Sequence, residues 1–366
     1  MNRKTLPAAL SEADRIRQDL QDWFSKNKRA LPWRQTEDWY AVFLSEFLLQ
    51  QTRVEQALPF YTKFIKRFPD IHALAEADEQ EILRLWNGLG YYSRARNLLK
   101  AAGILVKDFE AEFPRNYHQA LRLPGIGPYT ASAILSIAFG QALPVVDGNV
   151  VRVLTRYFAI SADVRKSATQ KLIYKKACLL LNPDAPGLHN ETLMEVGALI
   201  CKPKNPACRA CPLFDGCRAR QQGIVETLPK KSPAKKKKII RQYTLIIQSD
   251  NQYLIRQRPA KGLLASLWEF PFLEVSSLNH SAARLHKLLE KEIEGQATAT
   301  RIFEAMKHEY SHISLHYKPL LILISKKSLI KNMQGKWLTG EELNDFPIHA
   351  AHRKIIQSQN GLLFNK

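Results

Sequence analysis

Acidic side chains are scarce in this chain: 34 Asp and Glu stand against 54 Lys and Arg, a formal net charge of +20 over 366 residues. Long uncharged apolar runs are missing, and neither end carries a lipidation signal. Both absences argue against a membrane-spanning or lipid-anchored protein. The surplus of positive charge then points to a polyanionic partner, and nucleic acid is the usual one. Met1 to Asp19 holds Glu12, Asp14 and Asp19 but no apolar core of a secretory signal, so a reducing cytoplasmic setting is expected. There the five cysteines argue for metal ligation or free thiols and against disulfides. No internal repeat is apparent, and the length allows two or three domains.

From Ser11 to about Gln222, apolar residues recur at three- and four-residue spacing. The pattern predicts helices broken at Pro32, Pro69, Gly103, Pro114, Pro124, Pro144 and Pro183. Between Thr227 and Ile240 the composition changes to Leu-Pro-Lys-Lys-Ser-Pro-Ala-Lys-Lys-Lys-Lys, which cannot build a core and reads as a solvated linker. Tyr243–Ile247 and Tyr253–Arg258 then read as strands joined through Ser249-Asp250-Asn251. A further strand at Leu320–Ser325 and a helix around Ser281–Glu292 make the last third a small α+β domain.

Four segments carry chemistry. Leu-Pro-Gly-Ile-Gly-Pro-Tyr-Thr (123–130) is a tight turn opening a helix, where Gly125 and Gly127 present backbone N–H groups to an anion such as a phosphate. Asp147 follows soon after, in Val-Val-Asp-Gly-Asn-Val; alternatively it only caps the next helix. Glu46 interrupts the apolar stretch Trp39–Leu49, where desolvation would raise its pKa into the range of a general acid. Otherwise it is hydrogen-bonded inside or turned to solvent at the helix edge. Gln50-Gln51-Thr52, just beyond, form a polar patch suited to base edges.

Cys201, Cys208, Cys211 and Cys217 are separated by six, two and five residues, a spacing that favours an iron–sulfur cluster, with zinc as the alternative. Cys178, in an apolar stretch, is expected to be a buried hydrophobe. In Trp86–Arg96, two glycines free the backbone, two tyrosines could wedge between bases and two arginines could reach phosphates.

Together these motifs, with Leu31-Pro32-Trp33-Arg34 and Leu44–Thr52, resemble the helix-hairpin-helix superfamily of DNA repair glycosylases, and within it the adenine-specific mismatch (MutY) family. The resemblance implies a mainly α glycosylase region over 1–226: a six-helix barrel at about 32–150, and an iron–sulfur subdomain from 1–31 and 151–226. It further implies a basic linker at 227–240 and a Nudix-like lesion-reading domain over 241–366. The cofactor it implies is a [4Fe-4S] cluster on the four cysteines. The partner is double-stranded DNA with A:8-oxoguanine or A:G mispairs, met by a monomer in the cytoplasm at the nucleoid.

Catalysis falls by resemblance to Glu46 and Asp147, with Asn149 and Tyr129 holding them in register. Asp147 either bonds covalently to the sugar or only stabilises its positive charge. Arg34, Gln51, Thr52, Leu89, Tyr91, Gly125 and Gly127 are expected at the DNA, as are Tyr310, Ser311 and His312. Position 310 is Phe in most of the family. Endonuclease III-type relatives, the alternative, carry a lysine nucleophile where this chain has Tyr129, so strong strand-cleaving lyase activity is not expected. Gly262–Pro271 matches the opening of the Nudix-like module. The acidic Arg-Glu-x-x-x-Glu-Glu box of true Nudix hydrolases is missing from Leu278–Gly295.

Overall fold

A computed structural model of the chain describes residues 11–36, 38–233, 236–293, 299–327 and 333–358. The helices are α1 (Glu12–Asn27), α2 (Trp39–Leu49), α3 (Val54–Arg67), α4 (Ile71–Ala75), α5 (Glu79–Leu85), α6 (Ser93–Asp108) and α7 (Tyr117–Ala120). After these come α8 (Pro128–Phe139), α9 (Gly148–Tyr157), α10 (Ser167–Leu180), α11 (Pro186–Leu199), α12 (Arg218–Gln221), α13 (Ala282–Leu289) and α14 (Ala350–Ser358). Two compact units result. The first takes the chain up to Glu76 and Asn97–Pro233; the second takes Ala77–Arg96 and the chain beyond Ala234.

In the first unit α2 is apolar on every side, so it sits at the centre, with Tyr40 to Leu48 all buried. Asp38 starts this helix by accepting a bond from the Tyr40 N–H. The helix packs against α3 and α8. A second core gathers Ile16 and Leu20 of α1 with Val150, Val153 and Leu154 of α9 and Leu193 and Val196 of α11, and the half-buried Cys201, Cys211 and Cys217 lean on it.

The turn between α7 and α8 is the expected hairpin. Gly125 has φ +82°, and a Cβ there would meet Phe47 Cε1 at 2.6 Å, so both backbone and packing require glycine. Gly127 precedes α8 as its N-cap, and a Cβ on it would meet open space.

Several sequence expectations are corrected. Gly103 does not break a helix but lies inside α6, where the buried Ala101, Ala102 and Leu105 outweigh a glycine cost of roughly 1 kcal/mol. Cys178 is exposed, on the outward side of α10. The basic stretch 227–240 is not a free spacer throughout. The Leu228 carbonyl accepts from the Arg156 side chain, the Lys230 carbonyl from the Val164 N–H, and Ser232 binds Asp163. A strand already begins at Lys238.

The second unit holds a mixed sheet with strands β1 (Lys238–Ser249), β2 (Gln252–Gln257), β3 (Trp268–Glu269), β4 (Phe272–Glu274), β5 (Ala299–Ile302), β6 (Met306–Glu309), β7 (Ile313–Leu323) and β8 (Lys336–Thr339). The order along the main path is β3-β2-β1-β7-β5, with β4 on β1, β6 on β7 and β8 on β2. The central pair β1 and β7 is parallel, in register from Lys238 opposite Ile313 to Gln248 opposite Leu323. Asp250 and Asn251 both take positive φ and close the β1–β2 hairpin, as their residue types predict. Alternation along β1 splits its buried side chains. Tyr243, Leu245 and Ile247 pack with Leu285 and Leu289 of α13, while Ile246 packs with Ala351 and Ile355 of α14.

Gly125→Ala is expected to destabilise the protein by roughly 1–3 kcal/mol, from positive-φ strain and collision with Phe47. Gly127→Ala should stay within about 1 kcal/mol of wild type. Denaturant unfolding of both variants distinguishes the two glycines.

Candidate active site

A cleft of about 740 Å³ opens in the first unit, and Glu46, Tyr129, Asp147, Asn149, Arg34 and Thr52 all line it. Each arrives by a local rule. Glu46 projects from the middle of α2, Tyr129 from the first turn of α8, and Asp147 from the N-cap of α9.

Asp147 makes two tight bonds: it accepts from the Val150 N–H at 2.6 Å and from Asn149 Nδ2 at 2.8 Å. Thus it does cap the helix, and it also faces the cleft. Arg152, one turn on, locks Asn149 by donating to its Oδ1 at 2.8 Å. The same guanidinium donates to the carbonyls of Gly197 at 2.7 Å and Cys201 at 2.6 Å. Helix α11 comes close enough for this because residue 197 is glycine; a Cβ there would meet Asn149 Cβ at 2.6 Å.

Glu46 is 4 % exposed, and its Oε2 is buried with no hydrogen-bond partner. Burial pushes its pKa up to about 7; Tyr129 pulls it down by hydrogen bonding and the charge of Asp147 pushes it further up. Burial also raises the pKa of Asp147, but the Val150 N–H, Asn149 and Arg152 work against the shift. Two carboxyls therefore share one cleft with unequal support. Glu46 is the one that holds a proton near neutrality, and Asp147 is the one dressed with donors.

The cleft wall holds a charged cluster that the sequence did not reveal. Glu195 accepts from Arg29 at 2.8 Å and from Arg34 at 3.0 Å, and Glu191 accepts from Arg34 at 2.8 Å. Burial works against the charge of Glu195, but the two guanidinium groups hold its pKa down at about 2. Arg34, expected at the DNA, lines the cleft with its guanidinium donating to two carboxylates. Gln51 is exposed at φ +56° just after α2. Its neighbour Gln50, in the same polar patch, ties α2 to the hairpin by donating to the Gly125 carbonyl at 3.1 Å.

The four sequence-predicted cysteines converge on a small cavity, walled by Ile200, Pro206, Phe214 and Val225. Arg156 is 1 % exposed and wraps this loop, donating to Cys201 Sγ at 3.3 Å and to the Lys202 carbonyl at 2.7 Å. Four thiols around one small cavity are a donor set suited to a metal centre held by sulfur. Nothing in the sequence marks Arg152 or Arg156; both look like ordinary positions of an amphipathic helix.

In the second unit, Tyr91 is 47 % exposed at φ +49°. Leu89, expected at the DNA, is buried instead, because the turn at Gly88–Gly90 folds it inward. Tyr310, Ser311 and His312 occupy the turn between β6 and β7, with Ser311 and His312 exposed and Tyr310 half-buried. Ser311 donates to the Tyr91 hydroxyl at 3.1 Å.

Comparison with known proteins agrees with this layout. A family described as the HhH-GPD superfamily of base excision DNA repair proteins matches residues 44–177, and the NUDIX domain family matches residues 242–358. The adenine DNA glycosylase of Homo sapiens is 33% identical, over 96% of this chain and 75% of that protein. That of Buchnera aphidicola subsp. Schizaphis graminum is 36% identical, over 92% of this chain and 96% of its own. Among solved structures, a thermostable thymine-DNA glycosylase superposes with a TM-score of 0.52 at 27% identity, over 57% of this chain and 97% of that one.

The raised pKa of Glu46 has a consequence for stability that needs no substrate. Its folded value of about 7 lies above the ordinary 4.5, so its contribution is fully present below pH 4.5 and is lost as pH rises through 7. Glu46→Gln removes that loss and should stabilise the protein at pH 8 relative to wild type, by up to about 3 kcal/mol. At pH 4.5 the two proteins should unfold alike. Thermal unfolding at the two pH values measures the difference.

Proposed function

The chain belongs to the adenine DNA glycosylase family, and from that membership we propose that it excises adenine mispaired with 8-oxoguanine or guanine by hydrolysing the N-glycosidic bond. The observation that carries this reading is the pair of unequal carboxyls, Glu46 and Asp147, lining one cleft. Adenine extruded from the duplex would enter that cleft, at a cost of a few kcal/mol that is least at a mismatch. Glu46, protonated, donates its proton to N7 of adenine through the otherwise unpartnered Oε2. Such general acid catalysis is typically worth ~10²–10⁴-fold.

Loss of the base leaves a sugar with oxocarbenium character. Asp147, anchored by Val150 and Asn149, supplies the negative charge that such a centre needs. Once ionised, Glu46 takes a proton from the attacking water. Tyr129 stands beside Glu46 on the first turn of α8, its hydroxyl donating to Met194 Sδ at 3.8 Å, and its phenol stays protonated because burial and both nearby carboxyls raise its pKa. No lysine stands there to form a Schiff base, so the enzyme acts without strong lyase activity.

DNA contact falls to the hairpin at Gly125–Gly127 and the N-terminus of α8, where free N–H groups meet a phosphate. The protein works on duplex DNA as a monomer. Tyr91 wedges into the stack, and Ser311 and His312 read the base opposite the adenine. The missing acidic box speaks against nucleotide hydrolysis in the Nudix-like unit. Cys201, Cys208, Cys211 and Cys217 would hold a [4Fe-4S] cluster, which ties residues 201–217 into one rigid loop when bound. Arg156 places a positive charge beside the thiolates.

Duplexes carrying A opposite 8-oxoguanine, A opposite G, or thymine glycol separate this reading from an endonuclease III-like one. Abasic sites should form from the first two and not the third, and strands should break only after alkali. Glu46→Gln should lose at least ~10²-fold in adenine release while keeping its DNA affinity. Borohydride should trap little covalent complex. Purified protein should carry about four iron and four sulfide per chain, with broad visible absorption that Cys211→Ser abolishes.

A further inference from the structure

The turn between β6 and β7 stands on a buried polar network. β6 and β7 pair antiparallel up to Glu309 opposite Ser314, and the Tyr310 N–H donates to the Ile313 carbonyl at 2.8 Å. That leaves Ser311 and His312 as the two exposed residues at the tip. Glu309, at the foot of the turn, is pinned by Lys237 at 2.8 Å, Lys307 at 2.9 Å and the Ser314 hydroxyl at 2.8 Å.

Tyr310 points the other way, against the core cluster that includes Trp268, Phe270 and Ile348. Its hydroxyl lies 3.3 Å from Nδ1 of His349, a side chain only 2 % exposed. On the far side of that ring, Nε2 lies 3.5 Å from Glu269 Oε2. Glu269 is in turn held by Arg256 at 3.0 Å and Arg258 at 2.6 Å. One tautomer satisfies the whole series: Nε2–H of His349 faces the carboxylate, and Nδ1 accepts the proton of the Tyr310 hydroxyl. Burial lowers the pKa of His349, which keeps the ring neutral and able to accept.

Glu269, His349 and His352 bring one ligand atom each within 4.8 Å of one another, which raises the question of a metal. The chemistry argues against one. Two guanidinium groups already neutralise Glu269, and Nδ1 of His352 accepts the Phe270 N–H at 3.0 Å. A cation placed there would add charge beside two arginines and displace bonds that are already made.

We propose that Tyr310 is a positioning residue, moored by its hydroxyl to His349 and Glu269, and that this mooring fixes Ser311 and His312 in the orientation that discriminates 8-oxoguanine from guanine. The proposal rests on the reading that this turn meets the base opposite the adenine. The hydroxyl lies in the protein interior and acts through the turn, so its removal is felt as lost selectivity and not as lost chemistry.

Single-turnover adenine release from A:8-oxoguanine and A:G duplexes, measured over a range of enzyme concentrations, tests this. Tyr310→Phe should lower the preference for the 8-oxoguanine duplex by about fivefold, the loss of roughly one hydrogen bond, through weaker apparent binding. The loss should fall on the 8-oxoguanine duplex and not equally on both. His349→Leu should do the same, the double variant should do no more than either, and His349→Gln, which keeps an acceptor and a donor, should restore most of the preference. Ser311→Ala checks the underlying reading. If it lowers the preference while Tyr310→Phe does not, the mooring is refuted and the turn's role stands. If Ser311→Ala also leaves the preference intact, the turn does not read the lesion and both fall. An equal loss on both duplexes in Tyr310→Phe would likewise overturn the proposal.

Discussion

A carboxyl group stranded in an apolar helix is the constraint around which the first unit is arranged. Glu46 gains nothing for the fold: it occupies a central position of the most hydrophobic helix, and one of its oxygens is left without a partner. An unpartnered buried polar atom typically costs 1–3 kcal/mol. The surrounding core must outweigh that cost, and it does so with rings that meet edge-on or tilted along α2, such as Phe43 against Phe47 at 5.0 Å. The same burial keeps a proton on the group near pH 7. Stability and reactivity thus pull in opposite directions on a single side chain.

Asp147 shows the opposite treatment. It sits where a helix begins, so the backbone supplies a donor and the adjoining Asn149 supplies another. The field of the α9 N-terminus favours its negative charge. Two residues of similar chemistry receive unequal support for their charge because one is placed mid-helix and the other at a helix start.

This contrast also explains what could be read from the residues alone. Glu46 was visible because a charged residue within Trp39–Leu49 breaks an otherwise unbroken pattern, and Asp147 because a carboxylate follows soon after a glycine hairpin. The cysteines declared themselves by spacing. Local rules placed α2 and the β1–β2 turn, but not the start of β1, which lies at Lys238, five residues before Tyr243. Arg29, Arg34, Glu191 and Glu195 form their cluster across distant segments, and no local pattern marks such pairing. Leu89 lies buried between two positive-φ glycines, a placement that its residue type does not announce. Gly103 failed as a helix break because tertiary burial overrode propensity. Cys178 failed as a core residue because the apolar stretch around it is only one side of a helix.

Arg152 joins two regions that chemistry would otherwise keep apart. One guanidinium grips the amide that steadies Asp147 and the carbonyl of the first cysteine in the sulfur loop. Damage to the thiols is therefore not a local injury. Were the loop to unravel, one end of that grip would go, and the Gly197 carbonyl would be left as the anchor of the guanidinium that steadies Asn149.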